Sequence, residues 1–166
     1  LRRQRQMCIR DRYERLTDQY EEELRNRDFD KTEIKREGYY DLEIVDTLLS
    51  KSSDTELFPI TFMFIRVRMG DRYFSRDAIF RIMDFIKGSM GKNHVTAELS
   101  KGYFVVIMYK TDLAAAEKTR EEMLSKWEAF SKGAELETVL REVVSTENPR
   151  NTFYHEKDRL LDLANW

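Results

Sequence analysis

Apolar and polar positions change period several times along the chain, and each change predicts an element. Leu16, Tyr20 and Leu24 recur at helical spacing in the polar, acid-rich stretch from Tyr13 to Arg27, which predicts an exposed or coiled helix. Asp28 to Gly38 reads as a charged connector punctuated by its glycine. From Tyr39 to Leu49, Leu42, Val45 and Leu49 share a helical face with Ile44 and Leu48 beside it, and Ser50 to Glu56 follows as a polar loop. Phe58 to Val67 is the strongest strand. Its core, Ile60-Thr61-Phe62-Met63-Phe64-Ile65, is apolar in both phases, as expected of a central strand covered on two sides, with Pro59 at its start.

Ser75 is placed to cap a helix bearing Ile79, Ile82, Met83, Ile86 and Met90, with Gly88 and Gly91 bracketing its end. His94 to Leu99 alternates through Val95, Ala97 and Leu99. Tyr103 to Tyr109 is a second buried strand, and the short linker with Gly102 joins the two as a hairpin. Thr111 or Asp112 caps a long helix carrying Leu113, Ala116, Met123, Leu124, Trp127 and Phe130, with Trp127 and Phe130 expected in the core. Glu135 to Thr146 fits either a helix, by the spacing of Leu136, Val139, Leu140, Val143 and Val144, or a strand, by its Val and Thr content. Asn148-Pro149 ends it in either case, and a last helix is expected from Asp158 to Trp166. The order predicts an α/β (α+β) sandwich: a mixed, mainly antiparallel central sheet flanked by helices, related to ferredoxin-like arrangements.

Composition narrows the picture. The 166 residues suit one domain with a short extension, and 41% hydrophobic content with 12% aromatics supports a real core. No apolar run approaches the roughly 20 residues of a membrane helix, and no secretory signal is visible. Residues Leu1 to Arg12 read as translated sequencing adaptor: Met7-Cys8-Ile9-Arg10-Asp11 corresponds to ATG TGT ATA AGA GAC, a transposase end. Setting them aside removes Cys8, the one cysteine, and with it disulfide, thiol and cysteine-metal chemistry. It also removes five arginines and one aspartate, which leaves 24 basic against 30 acidic residues, net −6 rather than −2. Binding of nucleic acid by bulk charge is not expected from that balance. The domain boundaries expected are 1–12, 13–27 for the helix and 28–166 for the folded domain, with further sequence expected upstream and a C-terminus that is expected to be cut short.

The run Ala97-Glu98-Leu99-Ser100-Lys101-Gly102-Tyr103-Phe104-Val105-Val106-Ile107-Met108, followed by Thr111-Asp112-Leu113 and an alanine-rich helix, resembles the GGDEF family of diguanylate cyclase domains. In that family Gly-Gly-Asp-Glu-Phe sits on a hairpin turn before a buried strand. Ser100 and Lys101 fall on the two glycines, Gly102 on the aspartate, Tyr103 on the glutamate and Phe104 on the phenylalanine. Ile60 to Arg68 is similar to the family's first core strand, Gly70-Asp71 and the following helix to its next element, Arg36 and Tyr39 to its lead-in motif, and Asp158 to Ala164 to the start of its last helix. The resemblance favours a strand for Glu135–Thr146.

The resemblance also implies what is missing. Diguanylate cyclases hold two divalent metals on carboxylates, one of them in an Asp-x-Asp-like run on the first strand. Here those positions are Arg66 and Arg68, and the acids of the turn are Gly102 and Tyr103. Guanidinium in place of carboxylate reverses the charge of a cation site. The guanine-binding Phe-Lys…Asn stretch is absent, since only Met69 separates Arg68 from Gly70, and Gly91-Lys92-Asn93-His94 stands where the family's Arg-x-x-Asp product site belongs. No catalytic residue, metal or cofactor is therefore expected.

Other polar residues carry two readings each. Arg66, Arg68 and Lys101 can form an anion site, for example for a nucleotide phosphate, or can be strand-end residues paired with local acids. Tyr103 can contact a ligand or simply pack as the first residue of a buried strand. His94 and His155 lack metal-ligand spacing and are expected on loops or the surface. Arg72, Arg76 and Arg81, mixed with Asp71, Asp77 and Asp84, read as an ordinary helix surface. Three functions fit the pattern: an inactive signalling or scaffolding module acting by self-association or contact with an upstream sensory domain, a degenerate nucleotide or anion receptor, and an active cyclase. A cytoplasmic setting is expected, with no nucleic-acid partner and no membrane segment in this stretch.

Overall fold

The computed structural model describes residues 40–52, 55–68, 75–91, 93–100, 102–131 and 133–162. All of them belong to the second of two units into which the chain divides, Tyr40–Trp166. The expected helix at 13–27, the lead-in residues Arg36 and Tyr39, Gly70-Asp71 and Lys101 lie outside the described residues.

Among the described residues five strands form one sheet: β1 (Tyr40–Asp41), β2 (Ile60–Arg68), β3 (His94–Ser100), β4 (Tyr103–Met108) and β5 (Glu135–Val143). Four α-helices among the described residues accompany them: α1 (Leu42–Ser50), α2 (Arg76–Gly88), α3 (Leu113–Phe130) and α4 (Pro149–Asp162), with a 3-10 turn at Thr55–Leu57. The strand order is β1-β3-β4-β2-β5. β1 runs parallel to β3, and every other pairing is antiparallel. The mixed, mainly antiparallel sheet flanked by helices is the one expected, and the ambiguous segment is a strand. Its pairing with β2 from Ile60↔Val143 to Arg68↔Glu135 supplies the ladder bonds that a helix would have forgone.

Alternation along the strands divides the core into two layers. On one face Phe62, Phe64, Ala97, Val105, Ile107 and Val143 meet Val45 and Leu49 of α1 and Phe153 and Leu160 of α4. The Phe153 ring lies 5.6 Å from that of Phe62 and 5.8 Å from that of Phe64. The opposite phase, Met63, Ile65, Val67, Phe104, Val106 and Met108, is equally buried, beneath α2 and α3 with their buried Ile79, Met83, Ile86, Met123 and Trp127. Burying one such side chain contributes about 1.5–3 kcal/mol.

The caps are largely where the sequence puts them. Ser75 Oγ accepts from the Ala78 amide at 3.1 Å, and Asp112, rather than Thr111, caps α3 by accepting from Ala115 at 2.9 Å. Thr111 is used differently: its carbonyl accepts from the buried Thr61 hydroxyl at 2.7 Å, which ties β2 to the end of β4.

Several expectations are corrected. The first helix begins at Leu42, because Asp41 caps it by accepting from Ile44 at 3.1 Å while Tyr40–Asp41 pairs as a short strand. The last helix starts at Pro149, not Asp158. Asn148 accepts from the Asn151 amide at 3.0 Å, and proline suits a first helical position that needs no donor. Phe130 is 41% exposed, and Leu113 and Leu124 are exposed too. Phe130 instead stacks on Phe85 of α2 at 4.6 Å. Trp127 is buried as expected and donates its indole N–H to Ala134 O at 2.9 Å. No helix among the described residues is long and apolar enough to cross a membrane.

Candidate functional site

The β3–β4 hairpin ends beside the last residues of β2, and this corner is where the sequence concentrates its unusual residues. Ser100 is the exposed end of β3, Gly102 turns with φ +76°, and Tyr103 opens β4 opposite Ser100. The positive φ needs glycine. A register shift between Glu98 and Ser100 marks a bulge that bends β3 into the turn. The buried Gly102 carbonyl accepts from the Val67 amide at 2.8 Å, so the turn is stitched to β2 rather than free of it. Phe104 enters the core with no exposure.

Register fixes what surrounds the turn. Arg66 lies opposite Tyr103 on one side and Glu137 on the other, and Arg68 lies opposite Glu135. In phase with Phe62 and Phe64, both arginines stand on the sheet face covered by α4. Arg68 Nε makes an ion pair with Glu137 Oε1 at 3.4 Å. Tyr103 is 4% exposed, its ring 6.5 Å from that of Phe64. Burial pushes its phenol up to about 12; Arg66 draws it down, and Asp158 and Glu156 of α4 push it further up. Tyr103 is thus both a packing residue and a neutral phenol beside a guanidinium. The structure brings Arg66, Arg68 and Tyr103 to one corner.

Acids that the sequence reading missed share this corner. Glu137 was hidden by the ambiguity of its segment, since only a strand puts it in phase with the arginines. Glu156 precedes the residue taken as the start of the last helix. Arg76 was read as ordinary surface, yet it donates to Glu98 through both terminal nitrogens, at 3.1 and 3.0 Å, with Glu98 7% exposed. The guanidinium also lies 5.1 Å from the Phe80 ring centre. This fork fastens the start of α2 to β3 just before the bulge. His94 is half-buried at the start of β3 and His155 is exposed on α4. Among the described residues no group of three or more His, Cys, Asp or Glu is placed to hold a metal ion.

At the other end of the sheet, a cavity of about 550 Å³ is lined by Leu49, Ser52, Phe58, Thr146, Pro149 and Asn151 among others. Its lining is about evenly polar and apolar, and Arg150, one of the lining residues, is already engaged by Asp46 at 2.7 Å.

By sequence, no family model matches the chain, and no curated protein matches it. By structure the agreement is extensive. The chain is similar to the FimX GGDEF domain from Pseudomonas aeruginosa, with a TM-score of 0.60 at 12% identity over 72% of this chain and 85% of that one. It is similar to the diguanylate cyclase SiaD from the same organism, solved in complex with its activator SiaC, with a TM-score of 0.62 at 12% identity over 92% of this chain and 66% of that one. The coiled coil and GGDEF domain of DgcB from Caulobacter crescentus, solved in complex with c-di-GMP, gives 0.55 at 10% identity, covering 80% and 82%. The described domain has the fold of these GGDEF domains.

Proposed function

We propose that this chain is a signalling module built on the GGDEF fold that no longer makes a cyclic dinucleotide and acts through contacts with itself or with a partner protein. The observation that carries this reading is the charge of the corner at the turn. Where the resemblance places metal carboxylates, the chain presents Arg66 and Arg68, and the residue facing Arg66 is the neutral phenol of Tyr103. The nearby carboxylate of Glu137 is engaged by Arg68. Two divalent cations do not fit this donor set, because hard cations take anionic and carbonyl oxygens while guanidinium repels them.

The ion pair between Arg68 and Glu137 also weighs against an anion receptor built from Arg66, Arg68 and Lys101, since a phosphate would have to displace a carboxylate already in place.

Incubation with GTP and magnesium is expected to yield no cyclic dinucleotide, and clear product would overturn the proposal. Calorimetry with GTP and with cyclic di-GMP is expected to be flat; binding that Arg66→Ala weakens would favour the receptor instead. If contact runs through the segment 13–27, a chain beginning at Tyr13 sediments as a larger species than one beginning at Asp28. Identical sedimentation removes that route.

A further inference from the structure

We propose that the outer edge of β5 is a docking edge for a second copy of this chain, paired antiparallel about a two-fold axis at Val139. Among the described residues β5 lies at the end of the strand order and pairs with β2 alone, over nine residues. A strand of that length with one row of peptide groups facing outward is a template for another strand. Apart from exposed Glu135 and buried Val143, its side chains are half-buried, as they are when neighbours cover one side only.

The sequence of β5, Glu-Leu-Glu-Thr-Val-Leu-Arg-Glu-Val, identifies the occupant. A two-fold axis perpendicular to the sheet keeps each face on the same face, so it must pass through a residue rather than between two. Axes at Glu137 or Arg141 would set like charges directly opposite each other. An axis at Leu140 would set Arg141 against Val139 and Glu137 against Val143. At Val139 the nine residues pair end to end, and Glu137 faces Arg141 of the second copy twice. An axis at Thr138 would instead oppose Glu135 and Arg141 but leave the last residues of each strand outside the pairing. Full overlap selects Val139, and opposite charges across an antiparallel pair are stabilising where like charges are not.

Both charged groups can take the added partner. Arg141 already meets Glu147 at 3.1 Å and Glu156 at 3.6 Å, and its side chain also donates to the Glu142 carbonyl. Its fork has five donors, and Glu137 has a second oxygen beyond the one near Arg68. The outcome is a continuous sheet across two copies. The proposal does not depend on the loss of catalysis.

The test is amide hydrogen exchange over residues 135–143 of the full chain at rising protein concentration, with sedimentation in parallel. The wild-type chain is expected to gain protection there as dimer forms. Glu137→Arg and Arg141→Glu are each expected to lose that gain, because each sets like charges opposite one another. An equimolar mixture of the two is expected to regain it, since the exchanged charges then match across unlike copies. Recovery in the mixture also shows that both variants fold. Glu135→Arg is expected to behave as wild type. Absence of concentration-dependent protection at 135–143 in the wild type would overturn the proposal, whether or not the chain dimerises elsewhere. So would protection that the single variants retain, a mixture that fails to recover it, or rescue of Arg141→Glu by Glu135→Arg alone.

Discussion

Arg66 on β2 stands directly opposite Tyr103 on β4, so the sheet sets a guanidinium beside a phenol that is buried and neutral. The ordinary tyrosine value of 10.0 is raised here to about 12, with burial the largest cause. Below pH 10 both folded and unfolded chains hold the proton, and the contribution of Tyr103 is fully present. Between pH 10 and about 12 the unfolded chain releases its proton while the folded chain keeps it, so stability falls as pH rises through that window. Tyr154 is raised as well and acts in the same direction. Urea midpoints taken on either side of pH 10 are therefore expected to fall with pH, and Tyr103→Phe is expected to flatten the slope in part.

The fork from Arg76 to Glu98 is expected to matter more for stability than any other ion pair described. Arg76→Ala leaves a carboxylate buried without its partner, at a cost of about 3 kcal/mol. The double variant Arg76→Met with Glu98→Leu is expected to recover most of that loss, since two apolar groups need no pairing. Chemical denaturation of the wild type, the single variants and the double variant completes the cycle, and equal losses in the Arg76 single and the double variant would refute it.

Asp46 joins α1 to α4 by accepting from Tyr154 Oη at 2.9 Å and from Arg150 Nε at 2.7 Å. These bonds, Tyr154 first and Arg150 second, hold its carboxyl below the ordinary 3.8. Its contribution is present above that value and is lost as pH falls through the lower folded one. Asp46→Asn is expected to reduce the acid sensitivity of the melting temperature below pH 4 or so and to lower stability slightly at neutral pH. A melting curve with unchanged acid dependence would show that the link is too loose to count.

Two phenylalanines of similar appearance in the sequence are expected to differ sharply. Phe153 is fully buried between Phe62 and Phe64, and Phe153→Ala is expected to cost about 3–5 kcal/mol. Phe130 is 41% exposed, and Phe130→Ala is expected to cost about 1 kcal/mol or less, mainly its stacking on Phe85. Denaturation midpoints of the two variants decide the matter.

The amino-acid pattern alone dictated the sheet and its two-layer cover, because a strand apolar in both phases has no stable place except between two helix layers. It determined the hairpin too, since Gly102 and the buried run after it leave few other conformations. The resemblance of the turn to a known family was legible from the same residues. Period alone could not choose between helix and strand for Glu135–Val143, whose apolar spacing fits both. Only pairing with β2 decided it, and that decision placed Glu137 beside Arg68. The start of α4 was hidden because its first turns are polar and reveal their inward face only where Phe153 meets the sheet. Arg76 and Glu98 lie 22 positions apart, and no local pattern announces a contact that the crossing of α2 over β3 creates. Strand patterns are written along the chain, whereas charge partners and exposure depend on which elements end side by side.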